Sequence, residues 1–346
     1  MTASSTEHND QIRYFQYQEK LALESGEYLP GFQLAYHCFG KLSPSKDNVV
    51  WVIHALTANS NPREWWPGVV GPGECINPEK HFIICVNCLG SHYGSTSPLS
   101  INPDTGSPFY HNFPTLTNRD IVASFEHLRK HLKIEKIHLL IGASLGGQQA
   151  MEWAIKLGNT VNKLCLIGTN AFHSPWGIAF NESQRMAIES DQTWKENRPD
   201  AGLQGMMAAR SIALLSYRTL SGYNLTQSET DFNIMGDYKA SSYQRYQGQK
   251  LANRFNAFSY YILSQAMDSH HVARGRNSIS DALSKIVAHT LIISISSDIL
   301  FPPSEQELLH QHIPGSVLET IDSDLGHDGF LTENETISQL ITELLA

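Results

Sequence analysis

Runs of nearly unbroken apolar residues recur along the chain at Val49 to Ile53, Phe82 to Val86, Ile137 to Ile141, Lys163 to Ile167, Thr290 to Ile295 and Val317 to Ile321. Continuous apolarity over so few residues is the pattern of strands buried on both faces, as in a parallel sheet. Between several of them the apolar spacing changes to three and four residues, over Ile121 to Leu132 and Gly147 to Leu157, which predicts helices. Ile12 to Gln18 and Phe32 to Phe39 flank a turn-rich stretch at 24–31 and predict an antiparallel pair at a sheet edge. Strands alternating with helices predict an α/β fold, a doubly wound and mostly parallel sheet.

That rhythm stops between Phe172 and Ser284. No strand pattern occurs there, and Ser183 to Ser190, Gly205 to Leu215 and Tyr246 to Met267 carry helical spacing. Because the sheet pattern resumes at Thr290, the segment reads as an insertion. The expected domains are a core of residues 1–171 and 285–346, with 1–11 disordered, and a helical lid at 172–284 over the carboxyl ends of the strands.

Composition narrows the function. A chain of 346 residues, 41% hydrophobic, can bury one large core with an inserted unit. A net charge of -9 argues against wrapping nucleic acid or coating an anionic membrane. The polar start and the lack of a long apolar run predict neither signal peptide nor membrane span, and hence a cytoplasmic protein. Four of the five cysteines, Cys38, Cys85, Cys88 and Cys165, lie in or beside apolar runs, the usage of reduced buried thiols. Cys85 and Cys88 have C-x-x-C spacing at a strand end with no second pair, a poor setting for zinc or redox chemistry.

The strand at Ile137 runs into Gly142-Ala143-Ser144-Leu145-Gly146, followed by a helix. This is the strand-turn-helix that lifts a serine above a sheet, so Ser144 is the candidate nucleophile. A serine hydroxyl needs an imidazole to take its proton and a carboxylate to orient that imidazole. Asp298 follows the strand Thr290 to Ile295, and His327 follows Val317 to Ile321, giving the order Ser144, Asp298, His327. Backbone donors for an oxyanion would be the amide of Leu145 and that of Leu56 or Thr57, in the loop after Val49 to Ile53. His54 in that loop reads as a hydrogen-bonding group that shapes it. His270-His271 and His310-Gln311-His312 lack partners of metal-binding type, so no metal is expected.

Longer strings carry a resemblance. Trp65-Trp66-Pro67-Gly68-Val69-Val70-Gly71-Pro72-Gly73, Cys85-Val86-Asn87-Cys88-Leu89-Gly90, Tyr93-Gly94-Ser95-Thr96-Ser97-Pro98, Thr117-Asn118-Arg119-Asp120, Tyr246-Gln247-Gly248-Gln249-Lys250, Asp298-Ile299-Leu300-Phe301-Pro302-Pro303 and Gly326-His327-Asp328-Gly329-Phe330-Leu331 resemble the homoserine O-acetyltransferases of the α/β-hydrolase superfamily. The likeness runs from about Phe32 to Leu331. It implies an α/β-hydrolase fold and transfer of the acetyl group of acetyl-CoA to the side-chain hydroxyl of L-homoserine, in methionine biosynthesis. It implies a ping-pong route through acetyl-Ser144, with no cofactor beyond acetyl-CoA as co-substrate. It also implies that Arg210 and Asp328 hold the amino acid, and that the chain is a homodimer through its lid helices. Leu145 replaces the commoner methionine of the elbow, Ala58 a usual glycine, and Asn256 and His271 usual aspartates. Succinyl-CoA or serine specificity, and a carboxylesterase or thioesterase, are the alternatives.

Overall fold

The computed structural model describes residues 11–346, so the disorder expected of 1–11 falls, Gln11 apart, outside the described residues. Eight strands form the central sheet: β1 (Arg13–Tyr17), β2 (Phe32–Phe39), β3 (Val49–Ile53), β4 (Phe82–Val86), β5 (Ile137–Ala143), β6 (Val161–Ile167), β7 (His289–Ile295) and β8 (Val317–Ile321). They lie in the order β1-β2-β4-β3-β5-β6-β7-β8, with β2 antiparallel to β1 and β4 and the other pairings parallel. Short hairpins at 21–29 and 101–108, which the sequence pattern did not announce, lie outside the sheet.

The continuous apolarity of the middle strands has its cause in two cores, one on each face. Trp51, Leu140 and Leu166 pack with Phe125 of α1 (Asn118–His131) and Trp153 of α2 (Leu145–Leu157). Trp51 and Trp153 meet edge to face at 4.8 Å. On the opposite face Val50, Val52, Ile141 and Ile293 pack with Trp66 and with Ile337 and Ile341 of a C-terminal helix (Asn334–Leu345). Burying each such side chain contributes about 1.5–3 kcal/mol.

Helix α1 begins three residues before its first apolar position. Thr117 accepts from the Asp120 amide while Asp120 accepts from the Thr117 amide at 2.9 Å, so a polar capping box sets the start.

Within 172–284 the helices are α3 (Pro175–Glu189), α4 (Leu203–Tyr217), α5 (Leu220–Gln227), α6 (Lys239–Ala252) and α7 (Ala257–Asp268), with a short one at Ile279–Leu283. The stretch Tyr246 to Met267, read as continuous helical spacing, is divided. The chain leaves α6 at Asn253, and Asn256 caps α7 by accepting from the Ser259 amide at 2.8 Å. The start of the insertion touches the stretch that follows α7 through a small antiparallel contact that the sequence pattern also missed. His173 N donates to His270 O at 3.0 Å, and Val272 N to Ala171 O at 2.9 Å. Among the described residues no helix is long and apolar enough to cross a membrane.

Candidate active site

Ser144 stands between β5 and α2 with φ 55° and ψ -127°, a backbone region that L-residues rarely occupy. The turn closes only because its neighbours are small. A Cβ on Gly142 would sit 2.3 Å from Gly146 O, and one on Gly146 would sit 2.3 Å from Ile53 O. The close approach to Ile53 sets the elbow against the loop that follows β3.

His327, in a short 3-10 turn (Gly326–Asp328) after β8, places Nδ1 2.6 Å from Asp298 Oδ2. Because a carboxylate only accepts, Nδ1 carries the proton and Nε2 is left with a lone pair. Asp298 is itself fixed, its Oδ1 accepting from the amides of Leu300 at 2.8 Å and Phe301 at 2.9 Å. The imidazole is buried against Phe301, Phe330 and Tyr217. Burial opposes its charged form, but the charge and hydrogen bond of Asp298, helped by Asp328, hold its pKa above the ordinary 6.5.

Ser144 and His327 line one cavity of about 550 Å³, together with Leu56, Thr57, Arg210 and Asp328. Among the described residues no group accepts from the amides of Leu56, Thr57 or Leu145. Both candidates for the second donor therefore remain free. His54 is fully buried; its Nε2 accepts from the Cys88 amide at 3.0 Å and its Nδ1 donates to Ala55 O at 2.8 Å. Burial brings its pKa down to about 4, so it is neutral and holds the loop in shape.

The structure adds residues to the cavity wall that were not read as site residues: Tyr93, Tyr217, Lys250 and Arg254. Arg254 donates to Thr57 O at 2.5 Å and to the Tyr93 hydroxyl at 2.6 Å, bracing the loop from the insertion side. Arg210 lies over the Tyr217 ring at 5.3 Å. Of the four departures, only Ala58 lines the cavity; Leu145 is the buried first residue of α2, Asn256 caps α7, and His271 stacks on Phe172.

Behind the elbow runs a chain of buried amides. Asn118 donates to Gln148 at 3.0 Å, Gln148 to Asn170 at 2.9 Å, and Asn170 to Glu305 at 2.8 Å. Burial pushes the Glu305 carboxyl up to about 7, with the Asp298 charge adding to the shift. Glu305 carries no signal in the sequence, where an acid in a first helical turn has an ordinary dipole reading. Cys85 and Cys88 are buried free thiols; burial pushes Cys88 up to about 12 and Cys85 up as well.

The family model for the alpha/beta hydrolase fold matches residues 48–334. The homoserine O-acetyltransferase of Cyclobacterium marinum is 50% identical over 327 residues, 94% of this chain and 93% of its own. Among solved structures, the homoserine O-acetyltransferase from Bacillus anthracis superimposes with a TM-score of 0.88 at 23% identity, covering 97% of both chains. Esterase E22 does so with 0.87 at 24%, covering 97% of this chain and 100% of its own. At those identities the two structures bear on the fold alone, and it is a fold that an acetyltransferase and an esterase share.

Proposed function

The chain belongs to the homoserine O-acetyltransferase family of the α/β-hydrolase fold, and from that premise we propose that it moves the acetyl group of acetyl-CoA to the side-chain hydroxyl of L-homoserine in two half-reactions. His327 takes the Ser144 proton, Ser144 Oγ attacks the thioester carbon, and the oxyanion rests on the amide of Leu145 and that of Leu56 or Thr57. The C–S bond breaks, the sulfur takes the proton from His327 Nε2, and CoA leaves as the thiol, so the imidazole is neutral again. Homoserine then enters, its hydroxyl gives a proton to His327 Nε2, its oxygen takes the acetyl group as the bond to Ser144 Oγ breaks, and His327 returns the proton to Ser144 Oγ.

The observation that carries this reading is that one cavity holds both Ser144 with its His327–Asp298 pair and the two charges an amino acid needs, Arg210 for carboxylate and Asp328 for ammonium. An esterase acting on neutral esters needs neither. Lys250 and Arg254 on the same wall favour a donor that bears phosphates, in a chain of net charge -9. No bound cofactor enters these steps. The inserted helices 172–284 serve as a lid that limits water, the competing nucleophile.

We place the reaction in the cytoplasm, within methionine biosynthesis, and pair two chains through the insertion. Leu220, Leu225, Phe232 and Met235 lie exposed there as an apolar stretch that a second copy would cover. Product analysis tests the acyl transfer. With acetyl-CoA and homoserine together the acetyl group is expected on the homoserine oxygen; release of acetate at the same rate with or without homoserine would make the enzyme an esterase. Succinyl-CoA and serine, offered in competition, should give lower kcat/KM.

A further inference from the structure

Asp328 is gripped from outside the cavity that it lines. Arg218 Nε lies 2.8 Å from Asp328 Oδ2, yet the N–H is not aligned for a hydrogen bond, so the contact is ionic. Arg218 does not line the cavity, and it makes no other ion pair among the described residues. It engages one carboxylate oxygen and leaves Oδ1. Arg218 directly follows α4, the helix that brings Arg210 and Tyr217 to the same cavity.

An unheld Asp328 would have a competing partner. Arg210 lines the same cavity and has no ion pair among the described residues, so the two would attract one another and cancel the charges that an amino acid must meet. We propose that Arg218 is a positioning residue for the acceptor: it holds Asp328 through Oδ2, keeps it from Arg210, and turns Oδ1 toward the ammonium of the incoming amino acid. This rests on the reading that Asp328 receives that ammonium.

The test uses Arg218→Met, Arg218→Lys and Asp328→Asn in the full chain, with two acceptors. Homoserine carries the ammonium; 4-hydroxybutyrate has the same hydroxyl and carboxylate without it. Arg218→Met should raise the KM for homoserine about tenfold. It should leave 4-hydroxybutyrate kinetics and the rate of acetyl-enzyme formation from acetyl-CoA unchanged, and Arg218→Lys should recover most of the loss. An equal loss with both acceptors, or slowed acetyl-enzyme formation, would mean a general structural role and overturn the proposal. A normal homoserine KM in Arg218→Met, beside a raised one in Asp328→Asn, would refute it alone. A normal KM in Asp328→Asn would remove the reading of Asp328 itself.

Discussion

Replacing Asp298 with Asn changes one atom of the site, and the structure dictates which one. Oδ1 accepts two backbone amides, at 2.8 and 2.9 Å, whereas Oδ2 accepts only from His327, at 2.6 Å. Turning the new NH2 toward Leu300 and Phe301 would set donor against donor twice in a buried site, at about 1–3 kcal/mol for each unmet amide. Turning it toward His327 costs one such bond and is the cheaper choice. His327 Nδ1 must then accept, its proton moves to Nε2, and the nitrogen needed to deprotonate Ser144 is blocked. Acetyl-enzyme formation should fall by about 10⁴, the loss seen for the same substitution in serine proteases, or about 5 kcal/mol of barrier. Rapid-quench measurement of acetyl-enzyme, beside a thermal melt, separates this from unfolding: the melt should move by only a few degrees. An acylation rate within tenfold of the parent's would refute the role given to Asp298.

Gly146→Ala drives a Cβ against Ile53 O at 2.3 Å and His54 O at 2.9 Å, so backbone must move. We expect at least about 2 kcal/mol of lost stability in denaturant titration and slower acylation; an unchanged protein would contradict the close approach. Glu305→Gln tests a pH effect. The folded carboxyl titrates at about 7 against an ordinary 4.5, so its contribution is present below the lower value and is lost as pH rises through the upper. The neutral variant should match the parent at pH 5 and melt higher at pH 8; equal melting temperatures at pH 8 would contradict that. Leu220→Asp with Leu225→Asp should shift sedimentation to the monomer, and an unchanged assembly would place the interface elsewhere.

The middle strands were legible because burial on both faces leaves no polar positions to confuse them. Ser144, Asp298 and His327 were legible because each closely follows a strand of the same sheet, which carries them to one edge. The start of α1 was missed because its signal is the side chains of Thr117 and Asp120, and the break at Asn253 to Asn256 because it lies between two stretches of helical spacing. Tyr93, Tyr217, Lys250 and Arg254 converge on one cavity from distant parts of the chain, and spacing along a sequence carries no trace of such meetings. Arg210 and Asp328 had no bottom-up signal either; a resemblance supplied them, and the cavity brings both beside Ser144.

The most direct test of acyl transfer through Ser144 is intact-mass and peptide analysis of the enzyme quenched after mixing with acetyl-CoA alone. One acetyl group should appear on the peptide containing Ser144, be discharged to O-acetylhomoserine when homoserine is added, and be absent in Ser144→Ala. Normal transfer by Ser144→Ala, or an acetyl group that homoserine does not discharge, would contradict it.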